Sequence, residues 1–288
     1  MDRACPRLPL PDDVIEGRFH VAAELGRGGM SVVYRAHDRW TKRDVALKVL
    51  TVPEEDTAGT RFLQREFRAM TRLCHPRLVE VYDYGLVRPG MPFFTMELLP
   101  GRDLSAVRRL ALEQVFEVVV AVSEALAFMH ARGYVHRDVK PANVRLVSLE
   151  AGRPLDVKLM DCGLVTRVED AAGGLAGTPT HLAPEVWLGA AADVRTDLYS
   201  LGVLAYEITA GRLPFEGATG AALLARKTRD LPDLREHRPD VPPGFARLVR
   251  ELIAADPARR PVSAFEVLAR LSQFAAVDLA PAATIYLR

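Results

Sequence analysis

The sequence predicts an α+β chain in two parts: a small antiparallel sheet carrying one helix, then a larger, mainly helical part. Two textures predict it. Short apolar runs, FHVAAEL, SVVYRA and VALKVL and later VEVYDYGLV and MPFFTMELL, are separated by Gly-rich or charged turns, as strands are. Beyond Pro100 and Gly101, VFEVVVAVSEALAFMHARG reads as a long apolar helix closed by Gly133, and DLYSLGVLAYEITAG as another closed by Gly211.

In chain order, residues 1–17 are rich in Pro and Asp with no sustained apolar period, which predicts a loosely held leader with order beginning near Arg18. Residues 18–98 form the strand-rich part. Within it, Phe62, Phe67, Met70 and Leu73 recur at helical spacing and predict the single helix, over Thr60 to Leu73. The break falls near Leu99 to Arg102, and residues 99–274 form the helical part. The tail, 275–288, shows no clear period.

Composition narrows the class. With 288 residues and 49% hydrophobic content the chain can bury a substantial core. Lys plus Arg (38) nearly balance Asp plus Glu (37), so no bulk attraction to nucleic acid or anionic membrane is expected and any anion site must be local. Cys5, Cys74 and Cys162 lack the paired spacings of zinc sites or disulfide frameworks and read as free thiols in a reducing compartment. No apolar run approaches the ~20 residues needed to span a bilayer. A cytoplasmic protein without a membrane span is expected.

Three motifs carry chemistry. LGRGGMSVVYRA, from Leu25 to Ala36, is a Gly-rich turn between strand-like runs, and glycines let backbone N–H groups approach phosphate oxygens. A dinucleotide fingerprint would need a helix straight afterwards, and SVVYRA reads as strand. Lys48 ends the apolar run VALK, where a buried ammonium needs an anion, and Glu66 in the helical run is a candidate partner. HRDVKPAN then crowds Asp138, Lys140 and Asn143 into one loop stiffened by Pro141, suited to gathering a base, a phosphate contact and a metal ligand. DCG follows. Its Asp161, with Asn143, offers hard oxygen donors of the kind Mg²⁺ takes.

In this order the motifs resemble the signature set of the eukaryotic-like serine/threonine protein kinases of bacterial type, and the resemblance covers roughly Arg18 to Phe274. It implies a bilobal protein-kinase-like fold, with residues 18–98 as N-lobe and 99–274 as C-lobe, and transfer of the ATP γ-phosphate to Ser or Thr hydroxyls of substrate proteins in signalling. Leu25, Gly26, Gly28, Gly29 and Val33 would cover the nucleotide with Ala46, and Lys48 would hold its phosphates while paired with Glu66. Met96 would be the gatekeeper, with the backbone of Glu97 and Leu99 meeting adenine. Asp138 would act on the substrate hydroxyl, Lys140 on the γ-phosphate, and Asn143 and Asp161 on Mg²⁺. Lys140 and the GTP of Gly177 to Pro179 match the serine/threonine branch. Arg260 would pair with Glu185 of the APE, and Asp197 would hold the backbone of the catalytic loop.

The sequence departs from that pattern at Ser31, where the third glycine is expected; at Cys162, where phenylalanine is usual; and at Arg145, whose alkyl stem would pack under adenine with its head in solvent. Leu146 to Lys158 is longer than usual and reads as a surface insertion. A nucleotide-binding pseudokinase scaffold is the alternative, disfavoured because Lys48, Asp138, Asn143 and Asp161 are all present. A small-molecule phosphotransferase would lack the APE and its arginine. The segment before the APE holds only Thr166, Thr178 and Thr180 as hydroxyls, which points to control by a partner or by substrate instead of a loop phosphate.

Overall fold

A computed structural model describes residues 8–28, 31–51, 64, 67–87, 91–148, 153–161, 165–168, 171, 177–215, 220–228 and 233–278, the last four without their side chains. The chain divides into two compact units, one of residues 1–75 and 79–99, the other of residues 76–78 and 100–288. Leu99 thus belongs with the first unit, and Pro76–Leu78 with the second.

The first unit is a six-stranded antiparallel sheet in the order β1-β2-β3-β4-β6-β5. Its strands are β1 (Val14–Ile15), β2 (Phe19–Arg27), β3 (Ser31–Asp38), β4 (Arg43–Leu50), β5 (Val81–Val87) and β6 (Met91–Glu97). Directly opposed residues share a face and the face alternates along each strand, so the register decides what each side chain meets. The rows Val32, Val49, Phe93 and Tyr34, Leu47, Thr95 lie on one face. There Val32, Tyr34, Leu47, Val49 and Phe93 join Phe19 and Val21 in a buried cluster, each large side chain worth about 1.5–3 kcal/mol. Phe67 of the helical residues 67–70 packs against Phe94 and Tyr84 of the opposite face.

Part of the expected leader, residues 8–17, is tied to the sheet. Val14 and Ile15 pair with His20 and Phe19, the Val21 N–H donates to the Asp13 carbonyl at 2.9 Å, and Leu8 packs on the core. Backbone pairing thus orders a stretch whose composition alone suggested none.

The second unit is built on α1 (Leu112–Ala131), α2 (Pro184–Trp187), α3 (Val194–Ala210), α4 (Gly220–Lys227), α5 (Leu234–His237), α6 (Pro243–Leu252) and α7 (Ala264–Asp278). The two long apolar helices stand where the sequence predicts them. Asp193 caps α3 by accepting from the Arg195 and Thr196 N–H groups, and Gly211 ends it at φ +72°. α1 packs against α3 and α7, and α3 also against α6. α7 carries the helical pattern into the tail as far as Asp278.

Short strands complete the unit: β7 (Arg102–Asp103), β8 (Tyr134–Val135), β9 (Val144–Ser148), β10 (Asp156–Leu159) and β11 (Thr166–Arg167). β9 and β10 form a hairpin with β7 at its edge, and β8 pairs with β11. Within the span expected to be a surface insertion, Leu146, Leu155 and Val157 are buried and the Leu155 N–H is held by Glu117 of α1 at 2.8 Å, while residues 149–152 lie outside the described residues. Among the described residues no helix is long and apolar enough to cross a membrane.

Candidate active site

In the first unit the register gathers one set of predicted residues. Gly26 opposes Val33, Val33 opposes Lys48, Lys48 opposes Phe94, and Ala46 opposes Met96. Because Ala46 and Lys48 are two apart on β4, this row and the next share the face opposite the Val32 cluster. Lys48 is 8% exposed, with its ammonium 5.6 Å from the Phe94 ring centroid. The β2–β3 hairpin closes above it, the Gly28 N–H donating to the Ser31 carbonyl at 2.8 Å, and Leu25 is exposed at a register irregularity of β2. The Glu97 N–H donates to the Glu80 carbonyl at 2.8 Å and Leu99 is buried. Gly29, Glu66 and Cys162 lie outside the described residues.

The second unit gathers the other set. β8 delivers the chain into the loop that starts at His136, and the loop is held from beneath by Asp197 in the first turn of α3. Asp197 accepts from the His136 N–H and the Arg137 N–H at 2.7 Å each, and its Oδ2 lies 2.9 Å from His130 Nε2. Burial works against this fully enclosed carboxyl, yet His130, His136 and the amides keep it below the usual carboxylate range. Arg137 takes φ +69°, a conformation rare for residues with a Cβ and one that collects at functional loops.

Asp138 is the hub. Its Oδ1 accepts from the Thr178 N–H at 3.0 Å and the Thr178 hydroxyl at 2.7 Å, and its Oδ2 accepts from Asn143 Nδ2 at 3.0 Å and pairs with Lys140 Nζ at 2.7 Å. Lys140 Nζ also donates to Thr178 Oγ at 2.6 Å, so a chain runs from ammonium to hydroxyl to carboxylate. Burial pushes the Asp138 carboxyl up, but Lys140, Thr178 and Asn143 outweigh it and hold it below its ordinary value. The group is therefore ionised at neutral pH. Gly177 permits the approach of Thr178, since at φ +123° a Cβ there would sit 2.8 Å from the Arg137 carbonyl.

Asn143 closes the 3-10 turn Pro141–Asn143 and leads directly into β9, while Asp161 follows β10. Val144 opposes Leu159 and the Met160 N–H donates to the Asn143 carbonyl at 2.8 Å, so the hairpin register brings Asn143 and Asp161 to the same end. Asn143 Nδ2 donates to both the carboxylate and the main-chain carbonyl of Asp138, which leaves Oδ1 as its acceptor atom. An amide oxygen and a carboxylate are few, hard donors, and that set fits Mg²⁺, which keeps several waters, better than a softer metal. Among the described residues no group of three or more His, Cys, Asp or Glu side chains could hold a metal.

Arg145 departs from expectation. Its Nε donates to the Pro100 carbonyl at 3.0 Å and its Nη1 to Asp103 of β7 at 2.8 Å, so the head, a quarter exposed, is tied down as well as reaching water. Glu185 and Arg260 pair as expected. Sequence reasoning passed over His130, whose signal was a histidine closing the last turn of an otherwise apolar helix, where it can meet a buried acid.

Comparison with known proteins agrees with this geometry. Residues 19–270 match the model of the protein kinase domain. The DNA damage-responsive serine/threonine-protein kinase RqkA of Deinococcus radiodurans is 38% identical over 94% of this chain and 42% of its own length. The serine/threonine-protein kinase PknL of Mycobacterium tuberculosis is 39% identical over 96% of this chain and 70% of its own. A crystal structure of a doubly substituted PknI kinase domain from Mycobacterium tuberculosis superposes with TM-score 0.74 at 29% identity, covering 93% of this chain and 99% of that one. The chain spans less than half the length of several curated relatives. With its motifs in order, its two units and a family match over most of its residues, the chain belongs to the protein kinase domain family and resembles the bacterial serine/threonine kinases within it.

Proposed function

We propose that this chain is an ATP-dependent protein kinase that transfers the γ-phosphoryl group to Ser or Thr hydroxyls of other proteins. The observation that carries the reading is the chain Lys140, Thr178, Asp138, Asn143, in which an ionised carboxylate is held by three donors. Asp138 orients the acceptor hydroxyl and takes its proton as the acceptor oxygen bonds to the γ-phosphorus and the bond from that phosphorus to the β–γ bridging oxygen breaks, releasing ADP. Lys140 meets the oxygens of the transferring group, whose charge it balances. Asn143 and Asp161 would hold Mg²⁺, which supplies charge neutralisation at the nucleotide phosphates.

Lys48 would hold the phosphates with Glu66 as its partner, under the turn formed by Gly26, Gly28 and Gly29 with Leu25 and Val33. Ala46, Met96, Glu97 and Leu99 would face the base. A cytoplasmic setting, where ATP is supplied, and a regulatory partner belong to the same reading. The test is incubation with Mg²⁺ and γ-labelled ATP and a mixed protein substrate, followed by phosphoamino-acid analysis. Label in phosphoserine or phosphothreonine is the expected result. A protein that binds ATP and labels nothing would instead be a scaffold.

A further inference from the structure

The mechanism uses Asp138, Lys140 and Thr178 but gives no role to the most deeply buried lysine among the described residues. Lys227, the last residue of α4, is 1% exposed. Its ammonium donates to the carbonyls of Thr180 at 3.0 Å and Leu182 at 2.5 Å, and lies 5.2 Å from the centroid of the Tyr199 ring. The intervening carbonyl, that of His181, accepts from Ser200 of α3 at 2.9 Å. Three successive carbonyls are thus each held by a side chain from the helical body. The Thr178 carbonyl, in turn, accepts both the His181 and the Leu182 N–H at 2.9 Å. What the clasp fixes is the short run whose first residue delivers an N–H and a hydroxyl to Asp138.

The arrangement is costly. A buried ammonium usually meets a carboxylate. Burial pushes Lys227 down to about 7, with Glu185 opposing through space, and Arg260 lies over the same Tyr199 ring. Beside it, His181 Nδ1 is 3.0 Å from Thr180 Oγ. Its Nε2 is 3.0 Å from a Glu207 carboxylate oxygen, close enough for attraction but not aligned as a hydrogen bond.

We propose that Lys227 is a positioning residue for the phosphoacceptor: holding the carbonyls of Thr180 and Leu182 from α4, it keeps residues 178–182 where Thr178 closes on Asp138 and Lys140. The inference rests on the reading of Asp138 and Lys140 above. It predicts that α4, distant in sequence from the catalytic loop, acts on protein substrate and not on nucleotide.

The experiment compares the parent, Lys227→Met, which removes the donors at similar volume, and Lys227→Gln, which keeps one. Hydrogen exchange is followed at the amides of His181 and Leu182 and in α3, and steady-state kinetics are measured with Mg-ATP and myelin basic protein. The expected result for Lys227→Met is faster exchange confined to residues 178–182 and a loss of about 10- to 100-fold in kcat/KM for the protein, as displacement of a reacting group produces. The KM for ATP should stay unchanged and Lys227→Gln should recover part of the loss. Should Lys227→Met fail to fold, the same split in smaller form is expected from Lys227→Gln. Unchanged exchange at 178–182, unchanged kcat/KM, or an equal loss for ATP and protein would overturn the inference. A parent that phosphorylates nothing overturns the functional reading instead.

Discussion

Arg260 and Glu185 meet in a two-pronged ion pair, Nη1 to Oε1 at 2.6 Å and Nη2 to Oε2 at 2.8 Å, with the arginine side chain fully enclosed. Arg260 also donates to the carbonyls of Ala254, Arg195 and Ala255, so it joins the end of α2 to the turn before α7. Removing one partner leaves a buried charge uncompensated. Glu185→Ala should lower the unfolding free energy by about 3–5 kcal/mol, measured by urea titration. The double variant Glu185→Met, Arg260→Met should lose less than the two single losses combined.

Asp138→Asn should abolish transfer while leaving nucleotide binding nearly intact, if Asp138 acts on the acceptor as proposed. Thr178→Val should show a weaker form of the same defect, since it removes the hydroxyl that links Lys140 to Asp138. Equilibrium binding of ATP beside single-turnover transfer separates the two steps. Parent-rate transfer by Asp138→Asn would reassign the base.

A pH dependence is expected in the first unit. The Arg18 guanidinium, with the Thr41 hydroxyl and the Trp40 N–H, holds the Asp38 carboxyl far below the usual carboxylate range against the opposing effect of burial. A depressed folded-state value contributes stability above the unfolded value near 4 and loses it as pH falls. Parent and Asp38→Asn should therefore differ in urea midpoint at pH 7 and converge towards pH 3.

The same sign holds in a higher window for Lys227, a base whose folded-state value is pushed down to about 7. Above that pH the unfolded chain binds the extra proton, so stability rises with pH between about 7 and the unfolded value near 10.4. The melting temperature of the parent should gain on that of Lys227→Met from pH 7 to pH 9.5. A constant difference would show that the ammonium is not the titrating group.

Phosphatase treatment should leave activity intact. The three hydroxyls ahead of the APE are placed or spoken for: Thr166 lies in β11 opposite Val135, Thr178 binds Asp138 and Lys140, and Thr180 contacts His181. Mass spectrometry of the peptide from Leu164 to Pro179 checks this. Activity that falls with loss of a phosphate on Thr166 and returns with it would reverse the conclusion.

The loop from His136 to Asn143 was legible because its chemistry is local: charged residues around a proline must form a site or a solvated turn. The strands were legible too, as Val33, Lys48 and Met96 fell on runs read as strands, though which strand pairs with which was not. What escaped depends on contacts across the fold. Nothing near Arg145 in sequence announces that Asp103 and the Pro100 carbonyl will take its head. Nothing in RKT marks Lys227 as buried, because the short helix α4 is pinned by Thr180 and Leu182, far away in the chain. The leader was underestimated for a related reason, since a two-residue strand has no periodicity to read.

The β9–β10 hairpin behaves as a calliper. Its jaws are Asn143 and Asp161, brought to one end by the pairing of Val144 with Leu159 and of the Met160 N–H with the Asn143 carbonyl. Because the pairing holds the jaws, a change in chain length between Ser148 and Asp156 is expected to leave them in place.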